Sequence, residues 1–313
     1  MLCDDLLADL MLPSLYDGLD KVLTKVRKAQ KFVLSREFAI AADGLVDNVH
    51  ELRKIAPFCY TPFPLTWIEW AQADRPHWDW QGPYKARPID HERHQREPLR
   101  IGVLLDQQEE RASYFKIHLF WKLKEKPDSA MSEYNGSLAA LVFDAEKAGQ
   151  ELEEQPDPLL RGVRTKPADF GQGLMIAMVA KLPDIARRLL EYAMEDWGGE
   201  FRYVLSILGL LNTRNVVHRT PVDNTIMNEK RVRHGKRELF SHTLLKVRPS
   251  IVVYPGRGLS SHRDLRFHYV RGHFKQRKTG LFFWSHHARG SIEHGTVMKN
   301  YELEGMKPEM TGR

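Results

Sequence analysis

The decamer "YFKIHLFWKL", Tyr114 to Leu123, sets the fold class. Phe115, Ile117, Leu119 and Trp121 recur at every second position. That spacing puts all four on one face of a β-strand and would scatter them around a helix. Upstream, "LRIGVLL" (Leu99 to Leu105) reads as a second strand. Downstream, Leu138 to Phe143 reads as a third, following the turn signal Asn135-Gly136. Residues 99–145 are therefore expected to form an antiparallel sheet.

Helical patterns surround this sheet. Leu2, Leu6, Leu7 and Leu10 fall at helical spacing in a short amphipathic start. Residues 14–54 read as helix, with Leu19, Val22, Leu23 and Val26 in one stripe. From Ala56 to Pro88 six prolines forbid a long helix, and Trp67, Trp70, Trp78 and Trp80 are expected to anchor an irregular loop on the core, with a ligand-binding aromatic wall as the alternative. Within it Trp67 to Trp70 can form a short edge strand. After an acidic linker (Glu151 to Asp157), one helix opens around Pro183. A second, Glu200 to Leu211, is apolar on most faces and is expected to be the most buried.

Past Asn212 the pattern turns β-rich and basic. Thr243 to Tyr254 and Thr296 to Leu303 read as extended runs. Leu265 to Phe274 and Leu281 to Trp284 flank the turn "KQRKTG", which ends at Gly280. The expectation is an α+β protein: residues 1–212 a mixed helical and antiparallel-sheet region, 213–304 a basic β-rich region, 305–313 a tail.

Charge is unevenly distributed. Arg214 to Lys299 holds 18 Lys and Arg against 5 Asp and Glu, while the rest holds 29 against 36. Such asymmetry points to a polyanionic partner for the basic part, DNA or RNA first. No stretch is long and apolar enough to span a membrane, and the start lacks the basic region of a secretory signal. Two cysteines, Cys3 and Cys59, form no thiol motif and suit a reducing cytoplasm.

Two clusters can carry chemistry. In "NEKRVRHGKRELF" (Asn228 to Phe240), Arg231, Arg233, Lys236 and Arg237 can hold phosphates by charge and by paired guanidinium contacts, with Gly235 letting the backbone turn. In "RFHYVRGHFKQRKTGLFFWSHHARG" (Arg266 to Gly290), Arg271 stands beside His273, and Lys275, Arg277 and Lys278 crowd the turn. Its aromatic residues are expected to form mainly the core face of a hairpin. Its histidines lack zinc-ligand spacing, so neither a metal nor a cofactor is expected. His273 could serve as general acid or base with Arg271 stabilising phosphate charge, a metal-independent nuclease or phosphodiesterase. "DFGQG" (Asp169 to Gly173) has no accompanying kinase motif and reads as a turn.

"PFPLTWIEW" (Pro62 to Trp70) together with these two blocks resembles a widespread family of uncharacterised phage and prophage proteins. Asn228, Arg231, Gly235, Lys236 and Leu239 match its first block; Arg271, Gly272, His273, Gly280, Trp284 and Gly290 match its second. The resemblance implies a phage origin, with a place in the host cytoplasm or the virion. It brings no fold or activity. Three functions follow from the sequence: a nucleic-acid-associated protein, a His273 nuclease, or a non-enzymatic virion or host-interaction protein.

Overall fold

The computed structural model describes residues 1–7, 18–46, 49–75, 98–123, 134–137, 139–148, 163–170, 180–181, 184, 197, 200–247, 266–270, 273–284, 287–289 and 291–296. Its centre is a long antiparallel pair, β3 (Pro98–Gln108) and β4 (Arg111–Leu123), with Val103 opposite Leu119 and Leu105 opposite Ile117. The turn between them places Glu109 and Glu110 at positive φ, 52° and 55°. On one side of the pair come β6 (Ala139–Asp144) and β7 (Val163–Pro167), with the short β5 (Tyr134–Gly136) also on β4. On the other side come β2 (Leu65–Ala71), β1 (Gln30–Leu34), β9 (His242–Val247) and finally β8 (Val217–Val222). All pairings in this sheet are antiparallel except those of β1, which runs parallel to both β2 and β9.

Helices cover both faces because both faces are apolar. Phe115, Ile117 and Leu119 of β4 point to one side, where they meet Phe38 and Ala42 of α3 (Arg36–Val46), Leu52 and Ile55 of α4 (Val49–Ile55), Ala145 and Ala148 of α5 (Ala145–Ala148), and α6, the helical residues 200–211. That last helix is the most buried one, as its apolar circumference predicts: every residue from Tyr203 to Leu211 is buried. Gly209 is required there, because a Cβ would lie 2.3 Å from the Ile55 side chain. The other face is covered by α1 (Leu2–Leu6) and α2 (Leu19–Lys28), whose Leu19, Val22, Leu23 and Val26 are all buried as one stripe.

Three local expectations change. Trp67 to Trp70 is not an edge: β2 lies between β1 and β3, and Trp67 and Trp70 are fully buried on opposite faces. Gly102 makes room for Trp67, since a Cβ there would come within 2.3 Å of the indole. Asn135-Gly136 is not a turn but part of β5, paired with Trp121 and Phe120. Gly136 is needed because the Phe170 and Phe120 rings close over it, at 2.9 and 3.1 Å from where a Cβ would sit. The region 14–54 is not all helix; it contains β1. Trp78 and Trp80 lie outside the described residues, as do most of the residues read from sequence as a helix around Pro183.

Strands β8 and β9, grouped by sequence with the basic C-terminal region, complete the edge of this sheet. By its internal contacts the chain divides into one unit of Met1–Arg248 with Phe274–Phe283, and another of Pro249–His273 with Trp284–Arg313. In the second unit β10 (Arg266–Val270) pairs with β13 (His287–Arg289) and β14 (Ser291–Thr296). The hairpin of β11 (His273–Arg277) and β12 (Gly280–Trp284) is a separate two-stranded ribbon. So Leu265 to Phe274 is not one strand: β10 ends at Val270 and β11 pairs elsewhere.

The first unit buries a charge network. Arg75 donates to both Glu200 oxygens at 2.7 and 2.8 Å and to Asp43 Oδ1 at 3.2 Å. Its guanidinium also lies 3.9 Å from the Tyr203 ring centre, and the Tyr203 hydroxyl donates to the Ala39 carbonyl. These contacts tie α3, the segment after β2 and the helix 200–211 together. Replacing Arg75 by Met would leave two buried carboxylates without their shared cation. Such a loss costs about 3–5 kcal/mol. Urea unfolding of Arg75→Met should show a midpoint lowered accordingly; a change below about 1 kcal/mol contradicts this role.

Candidate nucleic-acid interface

The basic block Asn228 to Phe240 forms the end of α7 (Thr225–Arg233) and the loop that follows. Local hydrogen bonds set its shape. Asn228 Nδ2 donates to the Leu239 carbonyl and Asn228 Oδ1 accepts the Leu239 N–H, both at 2.8 Å. Arg231 Nε donates to the Arg237 carbonyl at 2.7 Å, and the Lys236 N–H donates to the Arg231 carbonyl at 2.8 Å. Gly235 turns the chain at φ +65°, a conformation in which a side chain is strained. Asn228, Arg231 and Gly235 therefore shape the loop that carries the remaining cations.

This loop walls a cleft of about 650 Å³ whose other side is α1 and Arg27 of α2. Arg27, Arg231, Lys236 and Arg237 line it, together with Asp4, Asp5 and Glu238. Two of those acids are engaged: Asp4 Oδ1 accepts the Phe240 N–H at 2.8 Å, and Asp5 lies 3.6 Å from Lys122 Nζ. The Phe240 ring in turn is stacked under Lys31 Nζ at 4.1 Å, so the back of the cleft is tied to β1. Among the described residues the side chains of Arg27, Lys236 and Arg237 have no ionic partner. Arg233 points elsewhere, 76% exposed and 4.0 Å from Glu229.

The second basic group sits on the β11–β12 hairpin. Phe274 and Leu281 are buried in the main core and Phe283 packs against it, so those aromatic and aliphatic side chains are hairpin core, as expected. The Phe274 N–H donates to Glu51 Oε2 at 2.9 Å. The Asn215 side-chain amide bonds the Phe283 backbone at both ends, 2.7 and 3.0 Å. Lys275, Arg277 and Lys278 are exposed, and Arg277 lies 5.4 Å over the Phe282 ring. Gly280, at φ +125°, sits beneath Arg214.

The two basic groups stand at opposite ends of the edge strand β8. Residues 214 and 215 hold the hairpin, β8 runs from Val217 to Val222, and α7 begins at Thr225. Six extended residues span roughly 20 Å. Between the groups lie exposed His218 and Arg219, with exposed Lys246 opposite His218 on β9. Arg271 and the His273 side chain lie outside the described residues, and the backbone of His273 belongs to the second unit. Cys3 and Cys59 are free and buried, and burial pushes both thiols well above their ordinary range, which makes them poor nucleophiles.

One constellation escaped sequence reading: Asp106, His118 and Asp169, with Lys25 and Lys116 against the carboxylates. It lies under α2, away from the basic edge, and no spacing motif joins its members. No family model, curated protein or solved structure matches this chain.

The shape of the α7 loop makes a direct prediction. Removing the Asn228 side chain deletes two hydrogen bonds, each worth about 0.5–1.5 kcal/mol. Asn228→Ala should speed tryptic cleavage after Lys236 and Arg237, followed by mass spectrometry, while leaving the global unfolding transition in place. An unchanged cleavage rate would show that the loop is held by other contacts.

Proposed function

We propose that the chain binds DNA or RNA along the β8 edge, with the α7 loop and the β11–β12 turn gripping phosphates. The observation that carries this reading is the run of exposed cations from the hairpin turn, past Arg219, to Lys236 and Arg237. Exposed cations add to the long-range field that draws a polyanion in, whereas charges buried against carboxylates largely cancel. At about 3.4 Å per phosphate along one strand, the span of β8 matches roughly six nucleotides. Taken with the resemblance to phage and prophage proteins, the polymer would be phage or host nucleic acid in the host cytoplasm. A basic edge also suits an acidic protein surface of a host or virion component. The enzyme reading through His273 gains no support from the described geometry.

The test is fluorescence anisotropy with labelled single-stranded DNA, single-stranded RNA and duplex DNA across a salt series. Binding should weaken linearly in log Kd against log salt. Replacing Lys236 and Arg237 by Gln should lower the slope by up to about two, as should replacing Lys275 and Lys278. Absence of binding to all three polymers at low salt overturns the proposal, as does a slope that neither pair changes. Incubation of the same labelled polymers with the protein and with His273→Ala checks for cleavage; unchanged polymer in both removes the nuclease reading.

A further inference from the structure

We infer that Asp106, His118 and Asp169 form a binding site for a divalent first-row transition metal ion, of which zinc is the natural probe. Asp106 comes from β3 and His118 from β4, two strands paired so that Asp106 faces Lys116 and Leu104 faces His118. Asp169 follows β7, where Gly18, at φ +78°, lets the chain before α2 approach the Asp169 carbonyl; a Cβ there would lie 2.7 Å from it. One ligand atom from each of the three side chains falls within 4.8 Å of the others. His118 Nε2 is 3.3 Å from Asp169 Oδ2.

The decisive feature is the imidazole. His118 is fully buried, yet neither ring nitrogen makes an aligned hydrogen bond. A buried polar group left unsatisfied is costly, and native structures rarely keep one without a reason. The ring is therefore ready to donate an electron pair into the space shared with two carboxylates.

Two lysines share that space. Lys25 Nζ lies 2.6 Å from Asp106 Oδ2, and Lys116 hydrogen-bonds Asp169 Oδ1. Two ammonium groups neutralise two carboxylates, as one dication does. A metal that displaces Lys25 from Asp106 and meets Asp169 through Oδ2, the oxygen near His118, leaves Lys116 on Oδ1 and adds the bond to His118 that the lysines leave unmade. Lys25 is 38% exposed and Asp169 32%, so the site has an entrance and the competing ammonium has somewhere to go. An imidazole with two carboxylates selects Zn²⁺, Mn²⁺ or Fe²⁺ over Mg²⁺ and Ca²⁺, which take oxygen ligands, and leaves a fourth position open to water.

The experiment uses the full chain stripped with a chelator, then titrated with Zn²⁺ under equilibrium dialysis, and separately with Co²⁺ under visible absorption. One Zn²⁺ per chain is expected, with a cobalt d–d spectrum of a four-coordinate site. His118→Ala and Asp169→Asn should each lose at least the roughly 10–100-fold in affinity that removal of a mere outer partner costs. Should His118→Ala fail to fold, Asp169→Asn, at a partly exposed position, carries the test alone. Lys25→Met should bind Zn²⁺ more tightly than the parent, because a competitor is gone, whereas His218→Ala should change nothing. Stoichiometry and cobalt spectrum unchanged in Asp169→Asn overturn the site, as does weaker binding in Lys25→Met.

Discussion

The parallel pairing of β1 with both β2 and β9 is the seam on which the rest of the structure hangs. On one side of those five residues stands the antiparallel body of β2 to β7; on the other stands the edge that carries the basic cluster. Phe32 and Leu34 of β1 bury into the main core, and the Ser35 N–H donates to the Leu245 carbonyl at 2.9 Å, locking β9 in register. Lys31 on the opposite face donates to the carbonyls of Arg27 and Ala29 and lies over Phe240. A single short strand thus joins the two parts of the sheet and anchors the back of the cleft.

A second buried anchor holds the far face. Glu69 in β2 is fully buried and accepts hydrogen bonds from the backbone of Leu2 and Cys3, from Trp67 Nε1 and from Arg100. Four donors on one carboxylate satisfy its charge without solvent. They fix α1 across the sheet, and α1 supplies the acidic side of the cleft, including the Asp4 that binds Phe240. Position of the basic loop thus follows from burial in the middle of the sheet rather than from the loop alone.

How much of this was legible depends on how local the signal is. β3, β4 and the stripe of α2 were, because period and apolar side chains coincide within ten residues. β1 was not: "QKFVL" is five residues inside a helical pattern, and its partners stand some 35 and 210 residues away. Asn135-Gly136 misled because the glycine serves the Phe170 and Phe120 rings rather than a turn. The exposed cations of the α7 loop and hairpin were legible from charge alone. The His118 cluster was hidden by the strand that decided the fold. Lys116 and His118 alternate with Phe115, Ile117 and Leu119, a polar spacing that marks no motif; packing against the α2 side buries His118 and sets Lys116 against Asp169.

The distribution of charge separates two kinds of cation. Arg75, Lys25 and Lys116 sit against carboxylates within 3.2 Å, and their fields cancel locally. Lys236 and Arg237 in the loop, and Arg219 between the groups, face solvent. The two basic groups stand roughly 20 Å apart along β8, more than twice the screening length of about 8 Å at physiological salt. They therefore cannot act as one electrostatic pocket, and a single phosphate engages only one of them. Under the proposed reading a continuous polyanion would engage both, and binding at the first would raise the effective concentration at the second. Geometry of this kind favours a chain of phosphates over a mononucleotide, and it does so through spacing rather than through any one contact.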